Sequence, residues 1–152
     1  MNTTVAQPVT LVVSRLIKAP RERVFAAWTK PAELMKWFGP EGCDALSAKL
    51  DARPGGEFII HMKTCEMGEA DIQGIYREVK APSKLVFTWN WKNNANLQMP
   101  ETLVTVDFLD RNGSTEVKIV HDYFPNNEAR ENHEHGWNGC LDKMEKVMVA
   151  AQ

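Results

Sequence analysis

The sequence is short of the features that declare whole functional classes. It has only three cysteines, Cys43, Cys65 and Cys140, an odd and widely spaced set without a CxxC pair. That argues against a disulfide framework and against a structural zinc site, and the three are read as free thiols packed as small apolar groups. No apolar run approaches the ~20 residues of a membrane-crossing helix. No block of one charge exists either: 18 basic and 20 acidic side chains leave a formal charge of -2, scattered along the chain. Without a basic patch, binding to a nucleic-acid backbone is not expected. Met1 to Pro8 has no basic-plus-apolar leader pattern, so a cytoplasmic location is expected. Repeats, low-complexity stretches and linkers are absent too. The expected organisation is a short tail, 1–9, and one domain, 10–151.

What the chain does have is a regular alternation of two periodicities. Thr10 to Lys18 is β-branched and alternating and reads as a strand. Pro20 then starts a helix carrying Val24, Phe25 and Trp28, and Pro31 starts a second short one carrying Leu34, Trp37 and Phe38, which Gly39-Pro40 ends. From Asp44 the pattern is period two. Strands are expected at 44–51, 57–63, 71–79, 85–92, 102–109 and 115–124, separated by turn residues that include the hairpin signal Asn112-Gly113. Glu131 to Ala151 returns to helical spacing, with Trp137, Leu141, Met144 and Met148 on one face and Asn126 or Asn127 as cap. Short links between strands imply an antiparallel sheet. One strand, two short helices, about six strands and one long helix make an α+β domain.

Five tryptophans are a heavy load for 152 residues. Phe87, Trp89 and Trp91 alternate on one strand and project to one side, where Trp37, Phe38 and Trp137 should cap or cross them. Such aromatic walls suit a planar or apolar ligand. Met62 shares the inward face of its strand with Phe58 and Ile60. His121 shares a face with Val117, Ile119 and Tyr123, and an inward imidazole needs a partner. His133, Gly136, Trp137 and Cys140 fall on one helix stripe. His133 and Cys140 stand about two turns, ~10 Å, apart, too far for a nucleophilic pair. His133 and His135 have poor metal spacing, and no metal or cofactor is expected. Arg53-Pro54-Gly55-Gly56 lacks the helix and Lys-Ser/Thr of a phosphate loop and reads as a turn.

These words, in this order, resemble a known family. Ile17-Lys18-Ala19-Pro20 leads into Val24-Phe25-Ala26-Ala27-Trp28-Thr29. Then come Lys36-Trp37-Phe38-Gly39-Pro40, Arg53-Pro54-Gly55-Gly56-Glu57-Phe58, Gly74-Ile75-Tyr76, Leu85-Val86-Phe87-Thr88-Trp89, Thr102-Leu103-Val104-Thr105-Val106, His121 and Gly136-Trp137. The set is similar to the homologues of the heat-shock-protein-90 ATPase activator, within the START-like (SRPBCC, birch-pollen-allergen-like) superfamily. The resemblance implies a helix-grip fold: about seven antiparallel strands wrapped around the long C-terminal helix, with two short helices after strand 1 and a cavity between sheet and helix.

The leading expectation is therefore a small hydrophobic or aromatic ligand bound in that cavity. Its expected border is Trp37, Phe38, Met62, Tyr76, Phe87, Trp89, Trp91, His121, Tyr123, His133, Trp137, Cys140 and Met144. The alternatives are a stress-linked module with a chaperone partner, or a cavity cyclase or hydrolase moving protons through His121 with Tyr76 or Tyr123. A monomer or homodimer fits either reading.

Overall fold

Proline and glycine break the chain where the alternation of β-branched and polar residues stops, and seven strands result. The computed structural model describes residues 9–40, 42–64 and 67–150. In it β1 (Val9–Ile17) leads into α1 (Arg21–Thr29), N-capped at Pro20, and into the single-turn α2 (Pro31–Leu34), which starts on its proline. Then follow β2 (Asp44–Leu50), β3 (Glu57–Lys63), β4 (Glu69–Lys80), β5 (Lys84–Lys92), a 3-10 turn (Ala95–Leu97), β6 (Thr102–Arg111), β7 (Ser114–Phe124) and α3 (Asn127–Ala150). The strands form one antiparallel sheet in the order β1-β7-β6-β5-β4-β3-β2. Since β1 and β2 occupy opposite edges, α1 and α2 carry the chain from one edge to the other. The turn between β6 and β7 holds Asn112 and Gly113 at φ 56° and 90°, as an Asn-Gly hairpin requires. This is the α+β helix-grip fold.

Three local expectations are corrected. The long helix starts at Asn127, a turn before Glu131, and the Asn126 side chain caps it by accepting from the Ala129 N–H at 2.8 Å. Gly136-Trp137 therefore sits well inside the helix. Tyr123 does not share the inward face with Ile119 and His121: it is 55% exposed, and Phe124 is fully buried in its stead. The cause is local, because Tyr123 adopts φ 75° and breaks the alternation of β7, while β1 shifts register opposite it between Val9 and Leu11. Among the cysteines, Cys43 is disulfide-bonded, which overturns its reading as a free thiol; Cys140 is free and buried, and Cys65 lies outside the described residues.

The core runs between the concave face of the sheet and α3. Leu11 and Ile17 of β1, Val104 and Phe108 of β6, and Val117 and Ile119 of β7 join Leu141 and Met144 of α3 in one buried cluster. α3 is fastened at several points. Arg15 of β1 donates to Asp142 at 2.7 Å and to Glu145 at 2.9 Å. Arg23 of α1 donates to the Met148 carbonyl, and Lys143 donates to the Cys43 carbonyl. At Gly139 the helix backbone comes close to the segment after α2: an added Cβ would lie 2.4 Å from the Pro40 Cβ. One turn earlier, a Cβ on Gly136 would meet no atom within 4 Å.

The two glycines should therefore respond oppositely to alanine. Gly139→Ala pushes Pro40 away and is expected to cost about 1–3 kcal/mol. Gly136→Ala removes backbone freedom without a clash and should add up to about 1 kcal/mol. Urea unfolding of the two variants beside the parent checks both signs.

Candidate ligand-binding cavity

The sheet and helix do not close on one another everywhere. A cavity of about 500 Å³ remains where β5, the ends of β3 and β4, the segment after α2 and the first half of α3 converge. β5 supplies Trp89 and Trp91, two residues apart and so on the same side of the strand. Met62 of β3 and Ile72 of β4 extend that wall, and Phe38, Gly39 and Pro40 face it from the chain following α2. α3 contributes His133, Gly136, Trp137 and Cys140, with Asn132 and His135 exposed at the rim. The space exists in part because the bare backbone of Gly136 borders it.

The rings form a continuous set. Trp89 lies 5.3 Å from Trp137 and 5.9 Å from Trp91, and Phe38 lies 6.2 Å from both Trp89 and Trp137. Behind them Trp28 stacks on Trp137 at 5.7 Å and packs on Trp37 at 4.7 Å, and the Trp37 indole donates to the Ala27 carbonyl at 2.9 Å.

Two histidines are locked by two of these indoles. An indole N–H only donates. The Trp137 Nε1–H therefore makes the Nδ1 of His121, 3.1 Å away, an acceptor. The His121 proton then sits on Nε2 and is given to Thr102 Oγ1 at 2.7 Å, whose own O–H reaches the Trp89 carbonyl at 3.3 Å. The second pair has the opposite tautomer: Trp91 Nε1–H donates to His133 Nε2 at 2.9 Å, and His133 Nδ1–H donates to the Ala129 carbonyl at 2.7 Å. Burial holds His121 well below the ordinary imidazole range, with the neighbouring His133 adding to the effect, and burial likewise lowers His133. Both rings are neutral, with both nitrogens occupied.

Thus the residues expected at the border divide into four groups. Phe38, Met62, Trp89, Trp91, His133, Trp137 and Cys140 line the cavity. Trp37, His121 and Met144 are fully buried behind it. Tyr76 and Phe87 border a separate space of about 20 Å³ shared with Trp28 and Trp89. Tyr123 is on the outside. Sequence reasoning did not find Gly39, Pro40, Met67, Leu97 or Asn132 on the lining. All but Asn132, which is on α3, lie between the main strands and helices, where neither periodicity predicts direction; the Gly39-Pro40 breaker was the one available signal.

Burial pushes the Cys140 thiol up to about 12, and its Sγ accepts from the Gly39 N–H at 3.3 Å, so it is no thiolate nucleophile. Among the described residues no group of three His, Cys, Asp or Glu could hold a metal ion. Two other features lie outside the cavity. On the outer face His61 is clamped between Asp71 at 2.5 Å and Glu69 at 2.6 Å, with Asn93 also donating to Asp71. Hydrogen bonds from Asp71, then Glu69, raise the His61 imidazole above its ordinary range. A wider groove of about 810 Å³ crosses the outer face of β2 to β5, but its lining includes Lys49, Gln73, Asn90, Lys92 and Glu101, a solvated polar surface rather than an apolar enclosure.

A seven-stranded antiparallel sheet gripping a terminal helix around an aromatic-walled cavity defines a START-like domain. The chain belongs to the family described as "Activator of Hsp90 ATPase homolog 1-like protein", whose model matches residues 18–149. A crystal structure of a protein from Chromobacterium violaceum is 27% identical, covers 91% of this chain and 96% of its own, and superposes with a TM-score of 0.80. That of the AHSA1 protein from Silicibacter pomeroyi is 25% identical over 95% of this chain and 100% of its own, with a TM-score of 0.83. A solution structure from Arthrobacter aurescens, at 20% identity over 93% of this chain and 86% of its own, has a TM-score of 0.78 and shares the fold. No curated protein matches the chain. Among the described residues no helix is long and apolar enough to cross a membrane.

The two locked histidines make stability depend on pH. Their folded-state affinity for protons lies below that of the unfolded chain, so the unfolded state binds more protons below about pH 6.5. The stability they contribute is complete above that value and is lost as pH falls toward their folded pKa values, at up to about 1.4 kcal/mol per pH unit for each ring. His61 works in the opposite sense: its contribution is complete below about pH 6.5 and is lost as pH rises through its raised value. In a His61→Gln background, urea stability should therefore fall between pH 7 and pH 5. The ¹⁵N shifts of His121 and His133 should meanwhile report two different neutral tautomers that do not titrate.

Proposed function

We propose that this chain binds a small apolar or aromatic molecule in the cavity between β5 and α3. The observation that carries the reading is the half-open cavity itself: about 500 Å³ bordered by Trp89, Trp91, Trp137, Phe38 and Met62, with a side-chain-free helical position at Gly136. Volumes of this size and lining are typical of small-molecule sites. Burying about 300 Å² of ligand surface would contribute roughly 7 kcal/mol before the cost of association is subtracted, sufficient for micromolar binding or weaker.

The family name offers a chaperone partner as the second reading. An interaction module working through its outer surface has no use for an unfilled, aromatic-walled interior, so the cavity supports ligand binding ahead of it.

Native mass spectrometry and thermal shift with aromatic, polyketide-like and lipid compounds test the proposal. At least one class should give a saturable complex and a rise in Tm. Gly136→Leu starts a side chain at a position where an added Cβ meets no atom within 4 Å and which borders the cavity. It should leave the fold intact and weaken binding at least tenfold. Silence across the library, or Gly136→Leu binding as the parent does, would defeat the reading.

A further inference from the structure

The outer face of β3 and β4 carries a charged cluster directly behind the cavity wall. His61 and Asp71 are register partners on these strands, while the next residue along each, Met62 and Ile72, points the other way and lines the cavity. His61 Nδ1 lies 2.5 Å from Asp71 Oδ1, and its Nε2 lies 2.6 Å from Glu69 Oε1. A carboxylate only accepts, and a neutral imidazole has a single N–H. Two carboxylates on one ring therefore call for the imidazolium, with both nitrogens donating. The raised proton affinity of His61 and the lowered one of Asp71, each caused first by their shared hydrogen bond, agree with that state. The cluster is tied to two segments that border the cavity. Asn93 donates to Asp71. Asn94 donates to the carbonyls of Met67 at 2.8 Å and Glu69 at 3.2 Å, and its Oδ1 accepts from the Asn96 N–H at 3.0 Å, capping the 3-10 turn that ends at Leu97. Met67 and Leu97 are both on the lining.

We propose that His61 is a proton-operated latch on this rim: its imidazolium draws Glu69 and Asp71 together, and loss of the proton frees Glu69 and loosens the start of β4 and the turn that carries Leu97. A neutral ring keeps one N–H. It keeps Asp71, whose side chain is 11% exposed and is also held by Asn93, and gives up Glu69, whose side chain is 62% exposed. The bare Nε2 then faces a carboxylate oxygen, acceptor against acceptor, and Glu69 turns to water. The strand end from which Asn94 hangs thereby loses its outer fastening. Other charged groups surround the ring without replacing this contact. Lys63 on β3 is the register partner of Glu69, and Lys92 on β5 is that of Asp71. On β2, Asp44 and Lys49 flank Ser47, which stands opposite His61. Among the described residues Glu69 and Asp71 form ion pairs with His61 alone. The latch acts on the wall whether or not a ligand is bound.

An NMR titration of the full-length, ligand-free chain from about pH 5.5 to about pH 9 tests the latch. His135→Gln is carried throughout, which removes the other imidazole exposed on the rim. Below about pH 6.5 both ring nitrogens of His61 should bear protons, and the ring should titrate above that ordinary value. The Met67 and Leu97 methyl signals and the Asn94 side-chain amide should shift with the same midpoint. Protection of the Leu97 amide against hydrogen exchange, corrected for the intrinsic pH dependence, should fall about 2- to 5-fold across it, the worth of one exposed ion pair. His61→Gln should abolish the transition at Met67 and Leu97. Glu69→Gln supplies an amide N–H that a neutral ring can accept, so Leu97 protection should then stay level as pH rises. A His61 ring with one bare nitrogen at about pH 6 (as when Glu69 holds the proton), Met67 and Leu97 signals that stay still while His61 titrates, or a transition that persists in His61→Gln would each overturn the proposal. The first two readings keep His61 in place, so the test survives a His61→Gln chain that does not fold.

Discussion

The hydrogen bond from the Trp137 indole to His121 sets the distance between the terminal helix and the sheet. An amphipathic helix laid on an apolar concave face gains by approaching until the gap is filled, because close packing is favoured and voids are not. Here the helix carries a large rigid ring whose polar edge must find an acceptor on the sheet, and the sheet carries an imidazole whose free nitrogen is that acceptor. The far side of the same imidazole is tied through Thr102 to the backbone of β5. Three adjacent strands and the helix thus share one buried polar chain, and each link has a donor facing an acceptor. Moving the helix closer or further would break a link and strand a buried polar group, at a cost of about 1–3 kcal/mol.

The second pair, Trp91 with His133, repeats the device one turn back along the helix and from a neighbouring position on β5. Its tautomer is reversed because the ring is satisfied from its own helix, at the Ala129 carbonyl, and not from the sheet. Together the pairs brace α3 on both sides of Gly136. The helix is then pressed tight at Gly139, where only a missing side chain admits Pro40, and held off at Gly136, where the missing side chain leaves room. Two glycines three residues apart act oppositely because the surface opposite them differs, not because their backbones do.

Much of the architecture could be read before the coordinates were known, since it depends on local rules. Period-two segments, proline starts, the Asn112-Gly113 turn and the Asn126 cap each follow from a few neighbouring residues. Tyr123 was misplaced because a single left-handed residue inverted the phase at the end of β7, a choice that strand alternation does not encode. Cys43 was misjudged because an odd count argues only about frameworks and not about a single bridge. At the site, Trp89, Trp91 and Trp137 were found from phase and helical spacing. What could not be read was their polar partnership. The indole-to-imidazole bonds join residues 16 and 42 positions apart, and whether an indole nitrogen faces a histidine or nothing depends on the packing of several elements at once.

That partnership limits what these two imidazoles can do. A helix-grip fold by itself leaves function open. General acid–base work requires a titratable group with one free valence directed at the substrate and a proton affinity near neutrality. His121 and His133 meet neither condition: protein atoms occupy every ring nitrogen, and burial disfavours the cation. The same bonds that hold the helix in position therefore occupy both of these imidazoles. Beside them the described lining carries the rings of Phe38, Trp89, Trp91 and Trp137 and the thioethers of Met62 and Met67, with Thr64, Asn132 and His135 as its other polar side chains. On the ligand-binding reading proposed above, such a wall would sort molecules by flatness and by apolar surface, since ring faces reward stacking and area burial but give a charged group nothing in return.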